Sequence, residues 1–225
     1  MVTESGPRGF QTDRSTLKRR RERGNYDRET INRILEEALV CHIGFVVDDR
    51  PVVLPTTYAR SDDVLYFHGA AGNAMFRSLA EGRDACVTVT LLDGLVLSRS
   101  FFHHSMNYRS VVLFGAATRV DDDEEKRRAL ESVIEHVLPG RAADARPPTV
   151  EELRATLVVR FPISEGSAKI RTGGPIEEPE DLGRATWAGH IPFETVARAP
   201  VDDGHVPPNV AVPIYASHYT RPRSA

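Results

Sequence analysis

The chain has 225 residues, a formal charge of −3, and 40% hydrophobic, 27% charged and 7% aromatic residues. This suits one globular domain with extensions and excludes a disordered, collagen-like or fibrous chain. The near-neutral balance argues against a dedicated, specific nucleic-acid binder, no apolar run approaches the roughly 18 residues that span a bilayer, and two cysteines cannot build a disulfide framework, so a reducing, cytoplasmic setting is expected.

Residues 1–25 read as a basic, flexible arm. Lys18, Arg19, Arg20, Arg21 and Arg23 have no interleaved aromatics on which bases could stack, and no apolar segment marks a secretory signal. Asp27 is placed as the N-cap of a helix carrying Ile31, Ile34, Leu35, Ala38 and Leu39 at helical spacing. Three β-branched runs follow, VCHIGFVV (40–47), VVLPTTYAR (52–60) and VLYFHG (64–69), separated by Asp-rich turns. They predict an antiparallel meander.

Ala70, Ala71 and Gly72 lead into a short helix around Met75, Phe76 and Leu79. Residues 85–100 predict a strand region broken by a turn at Asp93–Gly94, and 110–120 a long strand. The acidic run Asp121–Glu125 opens a helix, as the helix dipole prefers, with Ala129, Leu130, Val133, Ile134 and Val137 as its apolar stripe. A short capped helix (149–156) precedes a last strand or strand pair, LVVRFPISEGSAKIRTG. Beyond Gly173 proline and glycine are dense, and the segment around the single tryptophan, Trp187, is expected to wrap the surface. The expected organisation is a basic arm (1–25), a barrel domain (26–195) and a Pro-rich C-terminal extension (196–225). The fold class is mainly β with flanking helices, a small antiparallel barrel.

The chemistry-bearing motifs are few. Cys41 and Cys86 are isolated, and no HxxxH or CxxC spacing suggests a zinc site. No G-x-S-x-G elbow, P-loop or G-x-G-x-x-G fingerprint occurs. His68 ends a strand beside a small-residue turn, where a flat ligand can approach the backbone. The loop FHHSMNYRS gathers His103, His104, Ser105, Asn107, Tyr108 and Arg109 next to an apolar strand, a composition suited to a polar pocket or a subunit interface.

Taken together, CHIGFV, PVVLPTTYAR, LYFHGAAG, VTVTLLDGLVLSRS, FHHSMNYRSVVLFG, SAKIRTG and WAGHIP resemble the pyridoxamine 5'-phosphate oxidase-like superfamily, from about Gly24 to about Phe193. The branch most similar is the flavin-nucleotide-binding one that includes nitroimidazole-resistance proteins. The resemblance implies a split β-barrel, a homodimer, and flavin mononucleotide (FMN) at the subunit interface. The flavin ring would lie along Leu54, Pro55, Thr56, Thr57 and Tyr58. The phosphate would be held by His68, Gly69 and the turn through Asn73, and the partner subunit would contribute Ser105, Met106, Asn107, Tyr108 and Arg109.

One departure stands out. The arginine that such proteins place after the position of Asn73 is replaced by Ala74 and Met75. A phosphate carries close to two negative charges and favours a bidentate arginine, so Arg77, Arg60 or Arg109 becomes the substitute. The resemblance therefore implies a flavin-dependent oxidoreductase acting on a small molecule. A haem protein with His68 as axial ligand, and His42, His103 and His104 behind it, is the alternative. A deazaflavin user and a non-catalytic sensing module are further readings.

Overall fold

A computed structural model describes residues 10–221. After the short β1 (Gly24–Asn25) comes α1 (Arg28–Glu37), started by Asp27, whose carboxylate accepts the Thr30 amide at 2.8 Å. α1 buries Ile31, Ile34 and Leu35, the face set by their i, i+3, i+4 spacing. β2 (Val40–Val47) turns Cys41, Ile43 and Phe45 inward and leaves His42 and Val46 exposed. It pairs with β3 (Arg50–Thr57) through a turn in which Asp48 and Asp49 take φ of 48° and 59°, a left-handed conformation that aspartate tolerates.

The remaining elements are β4 (Ala59–Ser61), β5 (Val64–Ala70), α2 (Ala74–Ala80), β6 (Asp84–Leu97), β7 (Ser105–Ala116), β8 (Thr118–Arg119), α3 (Asp123–Val137), α4 (Val150–Ala155), β9 (Thr156–Pro162), β10 (Gly166–Arg171), β11 (Gly189–Pro192) and α5 (Ile214–Ser217). They make two antiparallel sheets. The larger runs β1-β10-β7-β6-β2-β3 with β11 added to β6, and the smaller runs β4-β5-β9-β8. Tyr58, Phe67, Phe161, Ile43, Leu65 and Leu113 fill the space between the sheets together with α1. This is the expected mainly-β split barrel with flanking helices.

Tertiary pairing changes three local expectations. The predicted meander stops after β3, because the chain crosses between sheets at Tyr58 and β5 pairs with β4 and β9 instead. Tyr58 is fully buried at this crossing, its hydroxyl donating to the Leu35 carbonyl at 2.6 Å. Asp93–Gly94 is not a turn. β6 runs through it with a register shift, because β7 pairs along nearly its whole length and absorbs the extra residue as a bulge. The last strand pair, β9 and β10, is divided between the two sheets rather than forming one hairpin.

The arm expected over 1–25 is packed onto the barrel from Phe10 onward; residues 1–9 lie outside the described residues. Phe10 is buried in the core, and Arg14 pairs with Asp84 at 2.5 Å and Glu165 at 2.6 Å. The extension after residue 196 is described as far as Arg221. Among the described residues no helix is long and apolar enough to cross a membrane.

Candidate functional site

Strand alternation positions the first cavity. Along β5, Leu65 and Phe67 point into the barrel and are fully buried, so Tyr66 and His68 face the opposite side. The Tyr66 hydroxyl donates to Glu125 of α3 at 2.9 Å, which marks this side as the one that α3 covers. His68 lies here in a cavity of about 870 Å³, whose other walls are α3 and residues 141–148. Leu130, Ile134, Pro147 and Pro148 supply apolar lining, and Arg127, Arg128, Arg141 and Arg146 supply cations.

The His68 imidazole is itself unusual. Its Nδ1 is buried without a hydrogen-bond partner, a deficit that costs on the order of 1–3 kcal/mol. Burial also pushes its pKa below the ordinary 6.5, so the ring is neutral at pH 7 and keeps a lone pair for a metal. Of the arginines, Arg146 is bidentate to Glu152 at 2.6 and 2.8 Å, and Arg127 donates to the Pro148 carbonyl at 3.1 Å. Arg128 is exposed and has no carboxylate partner among the described residues.

A second cavity, of about 500 Å³, opens where β2 diverges from β6. Glu37, Val40, Leu92, Asp93, Arg109 and Phe193 line it. The Arg109 guanidinium donates to both oxygens of Asp93 and to Glu37, and these contacts raise its pKa above the usual arginine value. Its charge is thus already neutralised. Arg60 is engaged in the same way by Glu36 and by the Asp62 carbonyl.

The other residues expected at the site are distributed as follows. Pro55, Thr56 and Thr57 lie on β3, the open edge of the larger sheet, with Thr57 opposite Val40 of the second cavity. That register brings the end of β3 to the cavity holding Arg109. Gly69 is needed for packing, since a Cβ there would collide with the Phe76 ring. Asn73 caps α2, accepting the Met75 amide at 2.9 Å, and Arg77 is exposed on α2 without a side-chain partner among the described residues.

Ser105 is half-buried in the ladder opposite Val96, and Tyr108 lies between Leu92 and Arg171. Asn107 is buried, donating to the Gly173 carbonyl at 3.0 Å and accepting from Arg171. His42 is exposed on β2, His104 contacts the Ser100 carbonyl, and His103 approaches Glu178 at 3.4 Å, so none of the three joins His68.

Reading the residues alone did not assign Leu130 and Ile134 to this cavity. They looked like part of the core stripe of α3, but Lys126, Ala129 and Val133 are the residues that α3 buries, and Leu130 and Ile134 form a second row facing the cavity. The sequence carried no signal for this, because apolar residues at 129, 130, 133, 134 and 137 make the ordinary stripe of a surface helix.

The sequence model of the family described as pyridoxamine 5'-phosphate oxidase matches residues 27–170. No curated protein matches the sequence. Among solved structures, the flavocytochrome Anf3 from Azotobacter vinelandii is 34% identical with a TM-score of 0.89, covering 94% of this chain and 98% of that one. The FAD and heme binding protein from Mycobacterium smegmatis is also 34% identical, with a TM-score of 0.84 over 88% of this chain and 98% of its own. A protein from Bacteroides thetaiotaomicron named for 5-nitroimidazole antibiotic resistance shares the fold at 24% identity and a TM-score of 0.55, over 65% of this chain and 86% of that one. An 88% coverage leaves about 27 residues unaligned, fewer than the 55 that follow residue 170, so the similarity to the Mycobacterium protein includes C-terminal residues that the family model lacks. On the matched segment and on 34% identity across nearly the full length, this chain belongs to the pyridoxamine 5'-phosphate oxidase family of split β-barrels.

Proposed function

We propose that this protein is a redox protein that carries haem on His68 and a flavin nucleotide along β3, and that two copies together act on a small molecule. The observation that carries the reading is the His68 cavity. A neutral imidazole lines about 870 Å³ of space together with Leu130, Ile134, Pro147 and Pro148, rimmed by arginines. That donor set fits a flat apolar macrocycle with two carboxylates and one metal. The two structures that are 34% identical to this chain support it, one named a flavocytochrome and the other a FAD and heme binding protein.

When bound, haem supplies one-electron exchange and a flavin couples one- to two-electron chemistry. The protein's own part is positional. His68 offers its ring lone pair to the iron, Leu130 and Ile134 exclude water from one face, and Arg128 offers an uncommitted guanidinium to a carboxylate. For the flavin, Thr56 and Thr57 present hydroxyls on the exposed β3 edge. Arg77, which has no side-chain partner among the described residues, is the cation for the phosphate, since Arg60 and Arg109 are already neutralised by carboxylates. FMN and FAD share the ring and first phosphate recognised here.

A second copy of the chain belongs to the same reading. β3 is an open edge, and Val53 and Leu54 on it are 63% and 38% exposed. Phe101 and Phe102 stand 99% and 87% exposed. An uncovered strand edge with such side chains invites a protein partner.

An absorption spectrum of the purified protein, before and after incubation with haem and with FMN or FAD, tests the proposal. A Soret band that His68→Ala abolishes, together with flavin bands that survive this substitution, is the expected result. Absence of both absorbances after reconstitution overturns it.

A further inference from the structure

α3 ends at Val137, and residues 138–149 return to α4 as a loop. Residues 141–148 of this loop supply seven of the fifteen residues that line the His68 cavity. Most of what holds the loop is local. The Glu135 carboxylate accepts the amides of Gly140 at 2.7 Å and Ala142 at 2.8 Å, Arg127 binds the Pro148 carbonyl, and Arg146 pairs with Glu152.

One holding group comes from far along the chain. The Tyr215 hydroxyl, on α5, donates to Asp144 Oδ2 at 2.5 Å and accepts from Arg141 Nη1 at 3.0 Å. Its ring lies over Gly140, where φ is +88° and a Cβ would stand 3.4 Å from Tyr215 Cδ1. Glycine suits that position twice, for its left-handed backbone and for the room it leaves the ring.

The segment carrying Tyr215 is fastened in turn. The Tyr219 hydroxyl donates to the Val137 carbonyl at 3.0 Å. Arg221 donates through Nε to the Glu37 carbonyl at 2.8 Å, through Nη1 to His136 at 2.7 Å and through Nη2 to Glu36 at 2.9 Å. These carbonyls belong to the last turns of α1 and α3, where C=O groups lack intrahelical partners and a cation is favoured. One guanidinium thereby ties two helix C-termini to the end of the tail.

We propose that residues 213–221 form a strap that fixes the wall of the His68 cavity, with Tyr215 as its positioning residue, so that a ligand on His68 leaves more slowly while the strap is docked. The family-model match ends at residue 170, so the strap lies outside the matched segment, and it acts on the cavity wall that is a loop rather than a strand or helix. The consequence for haem rests on the reading of His68 given under Proposed function; the strap itself does not.

The test uses the full-length protein with Tyr215→Phe, which keeps the ring over Gly140 and removes the hydroxyl, and Arg221→Ala, which releases the far end. Neither residue lines the His68 cavity. Hydrogen exchange of the amides of 141–148, measured without added cofactor, and transfer of bound haem to excess apomyoglobin are the two readouts. Losing hydrogen bonds of this kind should speed both about three- to tenfold, while β2, β5, β6 and β7 keep their protection and Arg221→Lys restores part of the effect. Unchanged exchange at 141–148 in both variants overturns the strap, as does a loosening spread evenly over the barrel. A wild-type protein that takes up no haem overturns the haem reading instead, and the exchange measurement then decides the strap alone.

Discussion

Arg109 and Asp93 form a two-pronged ion pair, Nε to Oδ2 at 2.9 Å and Nη2 to Oδ1 at 2.8 Å, and the same guanidinium also serves Glu37. Residue 93 lies at the bulge of β6 and residue 37 ends α1, so the pair locks a helix to a strand irregularity. Arg109→Gln leaves two mostly buried carboxylates without their cation and should cost on the order of 2 kcal/mol of stability, read as a lower denaturation midpoint. Flavin affinity should depend on Arg77 instead. Arg77→Ala is expected to weaken it about tenfold or more in a fluorescence titration and leave the midpoint unchanged.

Two histidines give stability a defined pH dependence. Burial lowers the pKa of His68, and burial likewise dominates at His136, whose ring lies tilted against Tyr58 with centroids 5.0 Å apart and contacts the Ala38 carbonyl. The unfolded chain therefore binds both protons first, near the ordinary 6.5. Their contribution is complete above that pH and is lost as the pH falls toward the folded values. Thermal melts from pH 7.5 down to 5.5 should show a falling midpoint, with each histidine adding at most about 1.4 kcal/mol per pH unit. A flat profile, or one that His136→Gln leaves untouched, contradicts this.

Tyr58 marks the crossing between sheets. Tyr58→Phe keeps the ring contacts with Phe67 and His136 but leaves the Leu35 carbonyl without its donor. About 1–2 kcal/mol should be lost, and Tyr58→Ala, which also opens a cavity, about 3–5 kcal/mol, both measurable by denaturant titration.

Self-association should depend on the exposed pair at residues 101 and 102. Replacing both phenylalanines by serine removes apolar surface that no described residue of the single chain covers, so the barrel's melting curve should hold while sedimentation shifts toward the monomer. A wild-type chain that is monomeric at all concentrations refutes the second copy.

Local order along the chain was largely readable. The Asp27 cap, the alternation in VCHIGFVV and the Thr149 capping box each act within a few residues, so composition and spacing disclose them. The small-residue turn singles out His68, and the missing arginine at Ala74 leaves Arg77, Arg60 and Arg109 as equal substitutes by sequence. Spacing could not tell which cations remain available, because Arg109 meets Glu37 across 72 positions and Tyr215 meets Asp144 across 71.

By itself, then, the sequence determined the alternation of buried and exposed residues, the helix starts and the membership of a split-barrel family, since each is written in neighbouring residues or recurring segments. Tertiary structure decided that β5 leaves the meander, that Leu130 and Ile134 line a cavity while Leu130 also packs on the Val120, Ala129 and Val158 cluster, that Arg109 is neutralised, and that the tail returns to Asp144. The physical reason is range. Burial periodicity and capping are satisfied locally, whereas charge pairing and cavity walls depend on which distant segments the two sheets and their crossings bring together.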